Sequence, residues 1–91
     1  MRRMVIVGAT SNIAEQCARL WVEKSVIDLT LIARDLSRLE SIANDLKVRS
    51  PSSSLKVIRA NFKDPGSIKK SIQHILKQGH VDSVLIAHGS L

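Results

Sequence analysis

One stretch of this 91-residue chain is suited to holding an anion: Gly8-Ala9-Thr10-Ser11-Asn12-Ile13-Ala14. It follows the wholly apolar run Met4–Val7 and precedes apolar residues at helical spacing. Gly8 lets the backbone turn sharply and lets a ligand come close to it. Thr10, Ser11 and Asn12 add short polar side chains. Where a helix begins after such a turn, its free N–H groups carry about half a positive charge and favour a phosphate. The plain alternative is a strand-to-helix turn with a serine or asparagine cap.

The second telling position is the end of the next apolar run, Ala33-Arg34-Asp35. Dinucleotide sites on parallel sheets use an acidic residue there for the ribose hydroxyls of NAD, and its charge repels the extra phosphate of NADP. Arg34 instead offers a bidentate, charge-assisted pair for a 2′-phosphate. Its plain reading is a solvated surface arginine. Asp35 reads as the cap of the following helix. His88 stands at a strand end without a paired carboxylate or nucleophile, so it reads as a pocket wall or turn residue rather than an acid–base group. His74, His80 and Cys17 lack ligand-like spacing, and no metal site is expected.

The elements that position these residues follow from periodicity. Met4–Val7 reads as a strand buried on both faces. Ile13, Cys17, Leu20 and Trp21 fall on one helix face, predicted to be the buried one. Leu29–Ala33 is a second strand. Leu36, Leu39, Ile42, Ala43 and Leu46 mark a second helix, with Ser37 and Glu40 fitting a capping box. Ser50-Pro51-Ser52-Ser53-Ser54 is a loop of residues that bond locally and do not pack. Leu55–Ala60 is a third strand.

Asp64-Pro65 opens a third helix, with Ile68, Ile72, Ile75 and Leu76 as its buried face and Gly79 at its end. Val84–Ala87 is a fourth strand, closed by Gly89. Continuous apolar strands alternating with amphipathic helices predict a doubly wound parallel α/β sheet, a Rossmann βαβαβαβ segment over residues 1–91 with strand order 3-2-1-4. The fourth strand is then an open apolar edge, which predicts the N-terminal part of a longer protein or half of an assembly that covers it.

Composition narrows the class. Hydrophobic residues are 44% and charged ones 24%, as in a globular chain. A single cysteine allows no internal disulfide, and no apolar run reaches the length of a membrane span, so the expected compartment is the cytoplasm. The net charge is +6, yet the basic residues are scattered and Trp21 and Phe62 are the only aromatics. No stacking platform exists for single strands, so nucleic acid is not an expected partner. The charge fits solubility and attraction for a phosphorylated small molecule.

On these residues the chain resembles the short-chain dehydrogenase/reductase family over essentially its whole length. That family opens with Thr-Gly-x-x-x-Gly-x-Gly, and Val7-Gly8-Ala9-Thr10-Ser11-Asn12-Ile13-Ala14 occupies the same frame. Only the first glycine is kept. Asn12 stands at the second, where asparagine tolerates a left-handed backbone, and Ala14 at the third. The basic residue that NADP-preferring members carry after strand two is matched by Arg34. The second basic residue that some members place in the turn is missing, with Ser11 there.

After strand three the family has an Asp and an apolar residue that bracket adenine. Asn61-Phe62 holds that place, and the asparagine amide can serve both the amino group and a ring nitrogen. Its plain reading is a turn asparagine. After strand four the family has Asn-Asn-Ala-Gly where this chain has Ile86-Ala87-His88-Gly89. The implied role passes to the backbone there, near the ribose and nicotinamide.

The resemblance implies NADP (NADPH) as cofactor, a small carbonyl or alcohol as substrate, and a homo-oligomer. It implies hydride transfer by a Ser, a Tyr and a Lys beyond strand four. The 91 residues contain no tyrosine, so this segment is expected to bind cofactor and not to run the reaction alone. The alternatives are a non-catalytic dinucleotide-binding or sensing module, or a proteolytic fragment.

Overall fold

The computed structural model describes residues 1–9, 12–61 and 63–87, with the backbone alone at Ile68. The elements run β1 (Arg2–Val7), α1 (Asn12–Lys24), β2 (Ile27–Ala33), α2 (Leu36–Arg49), β3 (Ser54–Arg59), α3 (Pro65–Lys77) and β4 (Ser83–Ile86). The strands form one parallel sheet in the order β3-β2-β1-β4. This is the doubly wound α/β arrangement that the pattern predicts. The strands begin one or two residues earlier than their apolar runs, and β3 and β4 end one residue sooner.

Strand side chains alternate between faces, and the core divides accordingly. Met4 and Ile6 of β1 join Leu29 and Leu31 of β2 against Ala14, Ala18 and Val22 of α1 and Leu39, Ile42 and Leu46 of α2. Val5, Val7 and Ile32 face the other way, against Ile75 of α3. The central strands thus need apolar residues on both faces, which is why their sequence shows no alternation. Each fully buried Leu or Ile contributes about 1.5–3 kcal/mol. Among the described residues β4 pairs with β1 alone, and its Val84 and Ile86 are exposed. The open apolar edge expected from the sequence is present.

Helix α1 does not bury the face that its large residues mark. Ile13 is 73% exposed and Leu20 56%, and Cys17 and Trp21 are half-buried. The buried stripe is Ala14, Ala18 and Val22, with Ala14 and Ala18 at 0% and 1% exposure. These small side chains meet the sheet's core residues, Ile13 and Leu20 are left outward, and Trp21 packs against the core at its margin.

Helix α2 buries Leu39, Ile42 and Leu46, whereas Leu36 is exposed. Its cap is Asp35, whose side chain accepts from the Arg38 N–H at 3.1 Å. The capping box predicted at Ser37 and Glu40 does not form, because Ser37 already lies inside the first turn. In α3, Asp64 caps and Pro65 occupies the first turn as predicted, and the chain leaves it through Gly79 at a φ of 136°. Ile75 is buried, Ile72 is half-buried and Leu76 is exposed. The side chain of Ile68 lies outside the described residues.

The serine loop also departs from expectation. Ser50 and Ser53 are buried, with their hydroxyls 2.7 Å apart and Ser53 Oγ accepting from the Ile27 N–H at 3.1 Å. Hydroxyls paired in this way pack at little cost.

Candidate functional site: the carboxyl edge of the sheet

The register aligns the ends of all the strands. Val7 of β1 lies beside Ile32 of β2 and Ile86 of β4, and Ala33 of β2 beside Arg59 of β3. The residues that follow, Asn61, Arg34, Gly8 and Ala87, therefore stand along one edge in that order. Strands spaced about 4.8 Å apart spread this row over about 14 Å. The strand order reverses between β1 and β4, which is where open parallel sheets take ligands.

At the centre, Gly8 has a φ of 81°, a left-handed conformation that favours glycine. Its N–H donates to the Ile32 carbonyl at 2.8 Å, and the Ala9 N–H donates to the same oxygen at 3.1 Å. The first two amides of the turn are thus occupied by β2. Asn12 and Ile13 open α1, where first-turn N–H groups have no carbonyl of their own helix to meet. The exposed Ile13 side chain stands at this helix start and not in the core. Glu15, the acidic residue of the first turn, pairs with Arg19 at 3.0 Å. Thr10 and Ser11 lie outside the described residues.

On the β2–β3 side the edge opens into a cleft of about 470 Å³ lined by Arg34, Arg59, Asn61, Lys63 and Ser67. Arg34 is exposed, directly after β2. Arg59 ends β3 and its Nε donates to the Arg34 carbonyl at 3.3 Å, which ties the two turns together. Among the described residues none of the three cations is paired with a carboxylate. Asp35 and Asp64, their neighbours in sequence, accept from helix N–H groups at 3.1 and 3.0 Å.

Asn61 lines this cleft, and its Oδ1 accepts from the Lys63 N–H at 3.0 Å, the geometry of a turn asparagine. Its own N–H donates to Ser67 Oγ at 3.3 Å. Among the described residues the side-chain amide has no partner, and it and the second carbonyl lone pair can serve a ligand. Phe62 lies outside the described residues. Sequence reasoning missed Arg59, Lys63 and Ser67. The signal available was the parallel pairing itself, which sets the end of β3 beside the end of β2.

On the other side Ala87 is half-buried, and its N–H donates to the Val7 carbonyl at 2.8 Å. His88 and Gly89 lie outside the described residues.

Several other charged groups tie framework elements together. Arg3 and Lys56 pair with Asp28 at 3.9 and 3.6 Å at the opposite edge, and Arg3 also donates to the Ile75 carbonyl at the end of α3. His74 contacts Gln78, and His80 lies 3.5 Å from Asp82. Among the described residues no group of three His, Cys, Asp or Glu side chains gathers as metal ligands would, and no helix is long and apolar enough to cross a membrane.

No protein-family model and no curated protein matches the sequence. Solved structures do. A short-chain dehydrogenase from Sphingobium yanoikuyae in complex with NADPH superposes with a TM-score of 0.81 at 21% identity, over 92% of this chain and 32% of that one. An alcohol dehydrogenase from the archaeon Thermococcus sibiricus, complexed with 5-hydroxy-NADP, gives 0.77 at 26% identity, over 92% and 36%. An NAD+-bound xylitol dehydrogenase gives 0.79 at 13% identity, over 91% and 31%. The chain thus spans about a third of the length of the structures it matches. The likeness to short-chain dehydrogenases/reductases drawn from the sequence is borne out in the fold.

Proposed function

We propose that this chain is the coenzyme-binding segment of an NADP-dependent short-chain dehydrogenase/reductase. The whole protein then moves hydride between NADPH and a small carbonyl or alcohol substrate in the cytoplasm, with proton-transfer groups that lie outside these 91 residues. The observation that carries this reading is the cationic cleft at the end of β2, whose Arg34, Arg59 and Lys63 have no carboxylate partner among the described residues. The fold itself does not choose between coenzymes, since the similar structures include one bound to NAD+ and one in complex with NADPH. Arg34, standing where an NAD site needs an acid, makes the choice.

In this reading the pyrophosphate lies against the start of α1, the adenosine half runs toward β2 and β3, and the nicotinamide half runs toward Ala87. Gly8 and Ala9 act by shape, because their N–H groups are held by Ile32. The anion is met by the N–H groups that open α1, Asn12 and Ile13 foremost. Asn61 offers its amide to adenine and Arg34 its guanidinium to the 2′-phosphate.

The test is a titration of the full-length protein and its Arg34→Ala variant with NADPH and NADH. Arg34 is exposed, so solvent screening trims the usual strength of a charged hydrogen bond to about 1–2 kcal/mol. NADPH affinity should fall about five- to thirtyfold, with NADH nearly unchanged. Equal wild-type affinity for both coenzymes would remove the role given to Arg34. A sensing module without catalysis is the second reading, favoured by Asn12 in place of the family's second glycine and Ala87 in place of its asparagine. It predicts the same binding with no NADPH oxidation across a panel of ketones and aldehydes.

A further inference from the structure

The cleft beside Arg34 holds more positive charge than a single arginine supplies, and the rest of it comes from β3. We propose that Arg59 and Lys63 act with Arg34 as a three-cation clamp on the 2′-phosphate, so that coenzyme preference is set jointly by the ends of β2 and β3. The proposal rests on the reading that this edge takes an NADP-type coenzyme.

A terminal phosphate carries about −1.5 to −2 charge at neutral pH and has three strong acceptor oxygens. One guanidinium meets two of those oxygens at best and leaves the charge partly uncompensated. The glycine turn supplies no second cation, because Ser11 occupies that place. Arg59 and Lys63 line the same cleft as Arg34 and have no carboxylate partner among the described residues.

Arg59 is also positioned. Its Nε is spent on the Arg34 carbonyl at 3.3 Å, which leaves the terminal N–H groups of its five-donor fork for an anion. Lys63 follows the turn that Asn61 Oδ1 closes on its backbone N–H, so that turn sets where its side chain begins. Ser67 adds a hydroxyl to the same wall. Asp35 and Asp64 would weaken the site if they turned toward it, but each is engaged by the start of its own helix.

The test titrates full-length wild type, Arg59→Gln, Lys63→Gln, Arg59→Lys and Arg34→Gln with NADPH and NADH. Arg59→Gln and Lys63→Gln should each weaken NADPH about three- to tenfold. NADH affinity should hold, which also reports an intact fold. Arg59→Lys, which keeps the charge, should recover part of the loss. If wild type prefers NADPH and Arg34→Gln abolishes that preference while the Arg59 and Lys63 variants leave it unchanged, the clamp is wrong and the coenzyme reading stands. If wild type does not distinguish the two coenzymes, both fall together. If Arg59→Gln and Lys63→Gln weaken NADH as much as NADPH, the residues act on the fold and not on the phosphate, which also overturns the clamp.

Discussion

The placement of α1 sets where its N-terminal amides point, and two substitutions on that helix test it. Leu20 is 56% exposed, so less than half of its side chain leaves water on folding. Full burial of a leucine is worth about 2–3 kcal/mol, and alanine is a slightly better helix former, so Leu20→Ala should cost below about 1 kcal/mol. Ala18 is 1% exposed, packed between the helix and the sheet. Ala18→Leu forces three extra carbons into that contact and should cost about 1–3 kcal/mol or more. Urea unfolding followed by far-UV circular dichroism and by Trp21 fluorescence reads both, since Trp21 is the only tryptophan in these residues and lies on the same helix. The opposite order, with Leu20→Ala costing about 2–5 kcal/mol as a core truncation does and Ala18→Leu neutral, would mean that the helix is rotated and that the large residues face the sheet.

Two further substitutions probe the turns around the cleft. Asp35→Ala should destabilise the protein by about 1 kcal/mol through loss of the α2 cap, while Ser37→Ala should stay within about 0.5 kcal/mol. A large effect at Ser37 would restore the capping box in place of the Asp35 cap. Gly8→Val puts a β-branched side chain at a φ of 81° and should cost about 1–2 kcal/mol, whereas Gly8→Asn should cost less. Equal stability of the valine and glycine proteins would show that the turn is not left-handed there.

The sheet was legible in the sequence because the central strands carry apolar runs, β3 has β-branched Val57 and Ile58, each helix is a spaced apolar pattern, and parallel connections leave few topologies. The face of α1 was not. Its sequence carries two stripes, and hydrophobicity alone favours Ile13, Leu20 and Trp21 over Ala14 and Ala18. Which stripe meets the sheet is decided by how the helix packs on it, and that is a tertiary quantity. The cap of α2 posed a similar ambiguity, with Asp35 and Ser37 both able to accept an N–H; where the helix starts chose Asp35.

At the site, Gly8 and Arg34 stood out because each follows directly on a strand end, and Asn61 because it lies just beyond one. Arg59 was hidden, since a polar residue closing an edge strand looks like ordinary solvent exposure. Its meaning appears only when the register sets it beside Ala33 and its Nε reaches the Arg34 carbonyl. That the amides of Gly8 and Ala9 are taken is not visible in the sequence either, because the Ile32 carbonyl that accepts from both belongs to a strand more than twenty residues away.

A crystal structure of the full-length protein with NADPH bound addresses the site most directly. The account predicts the 2′-phosphate in the cleft after β2, with an oxygen about 2.7–3.0 Å from the Arg34 guanidinium and the pyrophosphate against the first turn of α1. Density that placed the phosphate away from Arg34, or the dinucleotide off the carboxyl edge of the sheet, would contradict it.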